Sequence, residues 1–261
     1  MQKRVKFLIS TILSTAAFFL FLYLPFENRY YALVAGTMLV TFCYWFGLGV
    51  VFDSNLLNKI ALAIVPGGMF LGMGLFAVLF PNNLVVSIIF SLIFGLIIYI
   101  LFLVENVFMV AIGFRTVPLY RAAYTVSFIV TLLTSFFLFN TLLSYQMASW
   151  INFLIGWVIA AIIFLYQFWA IAIELPDDGK TKRMWLYVLV PSLVVAQLTL
   201  VFSFWPAGIF KSSIYLVSAV YIISSLLQME IKEKLFTKNW MQMVWIGIAI
   251  ILGILFITRW G

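Results

Sequence analysis

Nine stretches of about 20 apolar residues, separated by short polar connections, dominate the sequence. They fall at approximately 6–25, 30–52, 60–80, 84–104, 119–142, 150–173, 184–204, 210–229 and 239–258. A helix rises about 1.5 Å per residue, so each stretch matches the ~30 Å hydrocarbon core of a bilayer. Inside that core every backbone N–H and C=O must find its partner within the protein, which leaves helices or closed barrels. The stretches lack the apolar–polar alternation of a barrel strand. The expected fold is therefore all-α: a polytopic integral membrane helical bundle of about nine transmembrane helices. No connection is long enough to hold a soluble domain, so residues 1–261 are expected to form a single integral membrane domain. Only 9% of the residues are charged, against about a quarter in soluble domains.

The basic residues give the expected orientation. Lys3, Arg4 and Lys6 precede the apolar run Phe7 to Leu24, an arrangement that resembles a signal peptide. The run exceeds the usual core of about 7–15 residues. It leads into Pro25-Phe26-Glu27 with no small-x-small cleavage pattern, so a retained first helix is expected. With the N-terminus inside and nine crossings, twelve of the fifteen Lys and Arg residues fall on the cytoplasmic side. Only Arg29, Lys211 and Arg259 fall outside, and the C-terminus is expected outside with them. The net charge of +7 thus reflects topology and gives no reason to expect nucleic acid. Trp150 and Trp169, Trp185 and Trp205, and Trp240 and Trp260 are 19 or 20 residues apart, a spacing that places each pair at the two membrane interfaces. The absence of Asn-x-Ser/Thr sites agrees with a bacterial cytoplasmic (inner) membrane.

Several chemistries are excluded. With no histidine, the chain has no His-ligated haem, no HExxH zinc site and no His-activated nucleophile. A single cysteine, Cys43, permits no intrachain disulfide and no CxxC redox pair. Asp177-Asp178 is the only paired acid, too little for a metal–diphosphate site. No catalytic residue, cofactor or metal ligand is expected.

The polar residues inside the apolar runs are the remaining candidates. From Leu84 to Phe114 the chain is apolar except at Ser87, Ser91, Glu105 and Asn106. As one helix this segment is ~46 Å long. Fitting it into the core requires a tilt of ~50°, outside the usual range of about 0–40°. The helix is expected to break at Glu105-Asn106, or to run on along or past the interface. Glu105 has two readings: an interfacial carboxylate, solvated or paired with Arg115 or Arg121, or a proton or cation site in a polar cavity. Arg115 and Arg121, on either side of Pro118, are expected at the inner interface, where they snorkel or hold anionic lipid headgroups. Tyr124, Ser127, Thr131 and Thr134 share one helical face, a stripe better suited to helix packing than to permeation. Gln167 and Gln197 are expected to hydrogen-bond between helices or to line a small polar cavity. Gly68 and Gly72 form a GxxxG pattern that admits a close neighbour.

These features fit three functions: a small-solute or lipid transporter or channel-like protein, a non-catalytic component of a membrane complex, and, third, a lipid-modifying enzyme, for which nucleophile and metal site are both missing. The expected partners are the lipid bilayer, anionic lipid headgroups or other membrane proteins.

Overall fold

The structure, a computed structural model, describes residues 3–49, 56–81, 83–113, 118–173, 184–232 and 237–257. These form nine helices: α1 Lys3–Tyr23, α2 Phe26–Leu48, α3 Leu56–Val78, α4 Leu84–Gly113, α5 Tyr120–Ser144, α6 Ser149–Ala172, α7 Met184–Phe204, α8 Ile209–Ile231 and α9 Thr237–Ile257. No strand occurs among the described residues. Eight helices are long and apolar enough to cross a membrane. In α9 the described apolar stretch, Trp240–Phe256, is shorter and sits at the low end of the spanning range of about 17–25 residues. The chain is a polytopic membrane helical bundle. Helix ends agree with the apolar runs to within a turn or so, except in α4.

α4 is one unbroken helix of 30 residues, ~45 Å long. The break expected at Glu105-Asn106 is absent, and the helix runs on. Its buried face explains why. Phe94, Ile98, Phe102, Glu105, Phe108 and Ala111 are all buried and recur every three or four residues, so one stripe continues through the carboxylate. No proline or glycine lies between Glu105 and Ile112 to interrupt it.

The chain divides into two compact units, residues 1–138 and 139–261, with the last turn and a half of α5 belonging to the second. In the first unit, aromatic rings and glycines set the packing of α1 to α4. Phe18 stacks on Phe94 at 4.4 Å between centroids and meets Phe70 edge-on at 5.3 Å. A Cβ on Gly36 would collide with the Phe70 ring, so the α2 backbone rests directly on that ring. Further along, Phe102 lies between Phe7 at 5.3 Å and Tyr44 at 4.4 Å. Gly47 meets Phe102 in the same way, at 2.6 Å from the place a Cβ would take. α3 packs closely on both sides. Gly67 and Gly74 face α2 and α1 through Thr41 and Phe21, while Gly68 and Gly72 face Thr134 and Leu138 of α5. Gly68 and Gly72 thus admit side chains of α5 at close range. Pro66 is accommodated inside a continuous α3.

Arg29 has a structural task in this unit. Its Nε donates to Leu24 O at 2.9 Å and its Nη2 to Leu22 O at 3.1 Å. A guanidinium on these terminal carbonyls satisfies and neutralises the negative end of α1.

In the second unit α6 and α7 run antiparallel. Asn152 Nδ2 donates to Ser203 Oγ at 3.0 Å, Gly156 stands against Thr199, and Trp157 Nε1 donates to Ser192 Oγ at 3.0 Å. Trp169 lies near the end of α6, the depth its pairing expects, but faces inward. It is buried and packs on Tyr166 at 5.8 Å, whereas Trp150 is exposed. Spacing along one helix cannot report which face a residue occupies, and Trp169 falls on the inward one. Trp260 lies outside the described residues.

The α6–α7 contact yields a direct test. A Cβ at Gly156 would stand 2.9 Å from Thr199 Oγ1. Gly156→Val is expected to destabilise by about 1–3 kcal/mol through overpacking. Adding Thr199→Ala, which removes the Oγ1 and Cγ2 that crowd the site and leaves only the Cβ, is expected to restore part of that loss. Thermal unfolding of both variants in detergent measures the difference.

Candidate functional site

Polar side chains inside a membrane bundle are either consumed in packing or available for chemistry, and the structure separates the two. The α5 stripe belongs to packing. Tyr124, Ser127, Thr131, Thr134 and Ser135 are buried. Thr131 Oγ1 donates to Ser127 O at 2.8 Å, Thr134 Oγ1 to Val130 O at 2.9 Å and Ser135 Oγ to Thr131 O at 2.7 Å. Hydroxyls returned to the carbonyl four residues back satisfy their protons within their own helix. Thr134 also reaches Met69 Sδ at 3.4 Å, which ties α5 to α3.

Glu105 is fully buried, so the solvated interfacial reading does not hold. It lies one turn beyond Phe102 on the inward face of α4. Phe108, one turn further, contacts Tyr120 at 5.3 Å, and the Tyr120–Tyr124–Phe128 ladder climbs α5 from there. Asn106 is half-buried and Arg121 is exposed on α5. Arg115 lies outside the described residues. Gln197 is exposed on α7, which removes it from any internal cavity. Among the described candidates, Glu105 and Thr131 are therefore buried, Asn106 is half-buried, and Arg121 and Gln197 are exposed.

A different constellation appears at one end of the second unit. A cavity of about 360 Å³ is lined by residues that include Gln146, Asn152, Ser203, Trp205, Gly208 and Ser212. Four helix ends meet around it: the end of α5, the start of α6, the end of α7 and the start of α8. Neither helix that begins here has a side-chain cap. The N-cap residues are Ala148 for α6 and Gly208 for α8, so first-turn N–H groups and the positive ends of two helix dipoles remain without side-chain acceptors. Asn152 is 2% exposed. Its Nδ2 donates to Ser203 Oγ at 3.0 Å and to Met147 O at 3.3 Å, while its Oδ1 has no hydrogen-bond partner. A buried amide oxygen left in this state costs on the order of 1–3 kcal/mol.

The backbone is unusual at the same place. Gln146 has φ +46°, the positive-φ residue other than glycine among the described residues, and Gly208 has φ +80° and ψ 148°. The Gly208 conformation is essentially reserved for glycine. Holding Gln146 in the left-handed region costs roughly 1–2 kcal/mol. These two turns, 145–148 and 205–208, fix the cavity wall.

Asn152, Ser203 and Ser212 were not singled out from the sequence. They lie near the ends of apolar runs, where polar residues are ordinary. The signal that would have marked them is pairing between runs, which one sequence does not contain. No family model, no curated protein and no solved structure matches this chain.

Burial makes Glu105 testable in its own right. Glu105→Ala is expected to cost on the order of 2–4 kcal/mol, the range for truncating a large buried side chain. Glu105→Gln, of nearly the same shape, is expected to cost less than half as much. Equal losses on unfolding in detergent would show that the charge, not the volume, holds this position.

Proposed function

We propose that the protein is a transporter or channel-like membrane protein that takes a small polar solute or a lipid headgroup into the cavity at the α5–α6 and α7–α8 turns. The cavity carries the reading. Its volume lies at the small end of the range for ligand sites, about 300–1,000 Å³. Its lining combines uncapped helix starts, which suit an acceptor group on the ligand, with the Asn152 Oδ1 acceptor, which suits a donor. Exposed Tyr145, Trp150, Phe204 and Phe210 lie at the same four helix ends, and such residues favour the depth of lipid headgroups. With the N-terminus in the cytoplasm of a bacterial cell, this end faces outward and Lys211 stands beside it. Arg121, at the opposite side of the membrane in that orientation, meets anionic headgroups there.

A second reading, a non-catalytic component of a membrane complex, draws on one observation: the exposed amide of Gln197 on an otherwise apolar face of α7.

Gentle extraction followed by native mass spectrometry tests the first reading. A retained small molecule or lipid is expected on the wild-type protein and is expected to be lost from Ser212→Phe, whose ring fills the cavity. Identical spectra for the two proteins would overturn the proposal. The orientation has its own test. A reporter fused after Gly261 is expected to work only outside the cytoplasm, and cytoplasmic activity would require an even number of crossings.

A further inference from the structure

α7 has two faces of different character. Val188, Ser192, Val195, Ala196, Thr199 and Phe202 are buried, and Ser192, Thr199 and the adjoining Ser203 make the contacts with α6. Leu186, Val190, Leu193, Val201 and Phe204 are exposed on the other side, and Gln197 shares their stripe. Their steps of three and four residues trace the kind of seam by which two helices pack.

Gln197 is out of place on such a surface. It lies thirteen residues from Met184 and seven from Phe204, so ~20 Å and ~10 Å from the two ends of the helix. Its side chain is too short to reach either interface, and it makes no hydrogen bond among the described residues. Other exposed amides, Asn28, Asn83, Gln146 and Gln242, lie at or near helix ends, within reach of water. An amide facing hydrocarbon without a partner is costly.

We propose that the protein forms a two-fold dimer through this face of α7, with Gln197 hydrogen-bonded to the partner subunit's Gln197. The occupant follows from complementarity. A carboxamide carries both donor and acceptor, so it pairs with a copy of itself. A two-fold axis brings the same surface patch of each subunit against the other. The rest of the stripe is leucine, valine and phenylalanine with no charge, which neither requires nor favours a charged partner. This dimer is independent of the cavity and of what the cavity holds.

The single native cysteine makes the test clean. In a Cys43→Ser background, Leu193→Cys and Val201→Cys are each expected to form disulfide-linked dimers on mild oxidation in proteoliposomes, while the buried Ala196→Cys does not. All substituted positions on the stripe are exposed, so folding is expected to survive. Adding Gln197→Leu is expected to weaken the dimer roughly three- to twentyfold, as the loss of an interhelical hydrogen bond in a membrane implies. Gln197→Asn is expected to weaken it less. Folded protein that cross-links at neither stripe position, or that dimerises equally well with Gln197→Leu, would overturn the proposal.

Discussion

An apolar side chain gains nothing by leaving lipid for another apolar surface. Helices within a bilayer therefore hold together by close contact, and close contact requires small residues opposite large ones. The first unit follows this requirement with rings. Gly36 lies on Phe70 and Gly47 on Phe102, three turns apart along α2. Each of those rings is gripped by further rings from α1, α2 or α4. The second unit meets the same requirement with Gly156 against Thr199. It adds hydrogen bonds from Asn152 and Trp157 that cross from α6 to α7. Close contact at van der Waals distance, reinforced by hydrogen bonds between helices, answers the lack of a hydrophobic driving force in both units.

Polar groups divide along the same lines. Most serines and threonines return their protons to their own helix, as Thr15, Thr37, Ser91 and Ser213 do. A hydroxyl used in this way costs little in lipid and contributes little to recognition. Functional interest falls instead on groups whose polarity is not spent in this way, such as the Oδ1 of Asn152 and the exposed Gln197.

Helix number, length and order were legible from apolar runs, because the bilayer fixes how long a crossing must be. The close packing at Gly68 and Gly72 was legible too, since glycine in a spanning helix has few other uses. The continuity of α4 was not. Glu105 looks like a stop when judged by polarity alone, and only the inward stripe from Phe94 to Ala111 shows that the helix passes through it. The directions in which Trp169 and Gln197 face were not legible either, for one shared reason. Position along a helix sets depth, whereas the direction a side chain takes depends on which neighbours surround the helix. The cavity of the second unit was invisible for a related reason: its wall comes from two pairs of helix ends that lie far apart in sequence, within the segment from Leu143 to Ser212.

α3 and α9 stand at opposite extremes of enclosure. In α3, 61% of the spanning window is buried, with glycines pressed against three other helices. In α9 every described side chain is at least partly exposed, and Gly253 has open space where a Cβ would go. Over generations the two helices are subject to unequal selection. α9 is free to exchange one apolar residue for another so long as it stays oily, while α3 can accept almost no change in size. Related chains, once aligned, would therefore diverge fastest at the end of the sequence and keep residues 61–77 nearly intact.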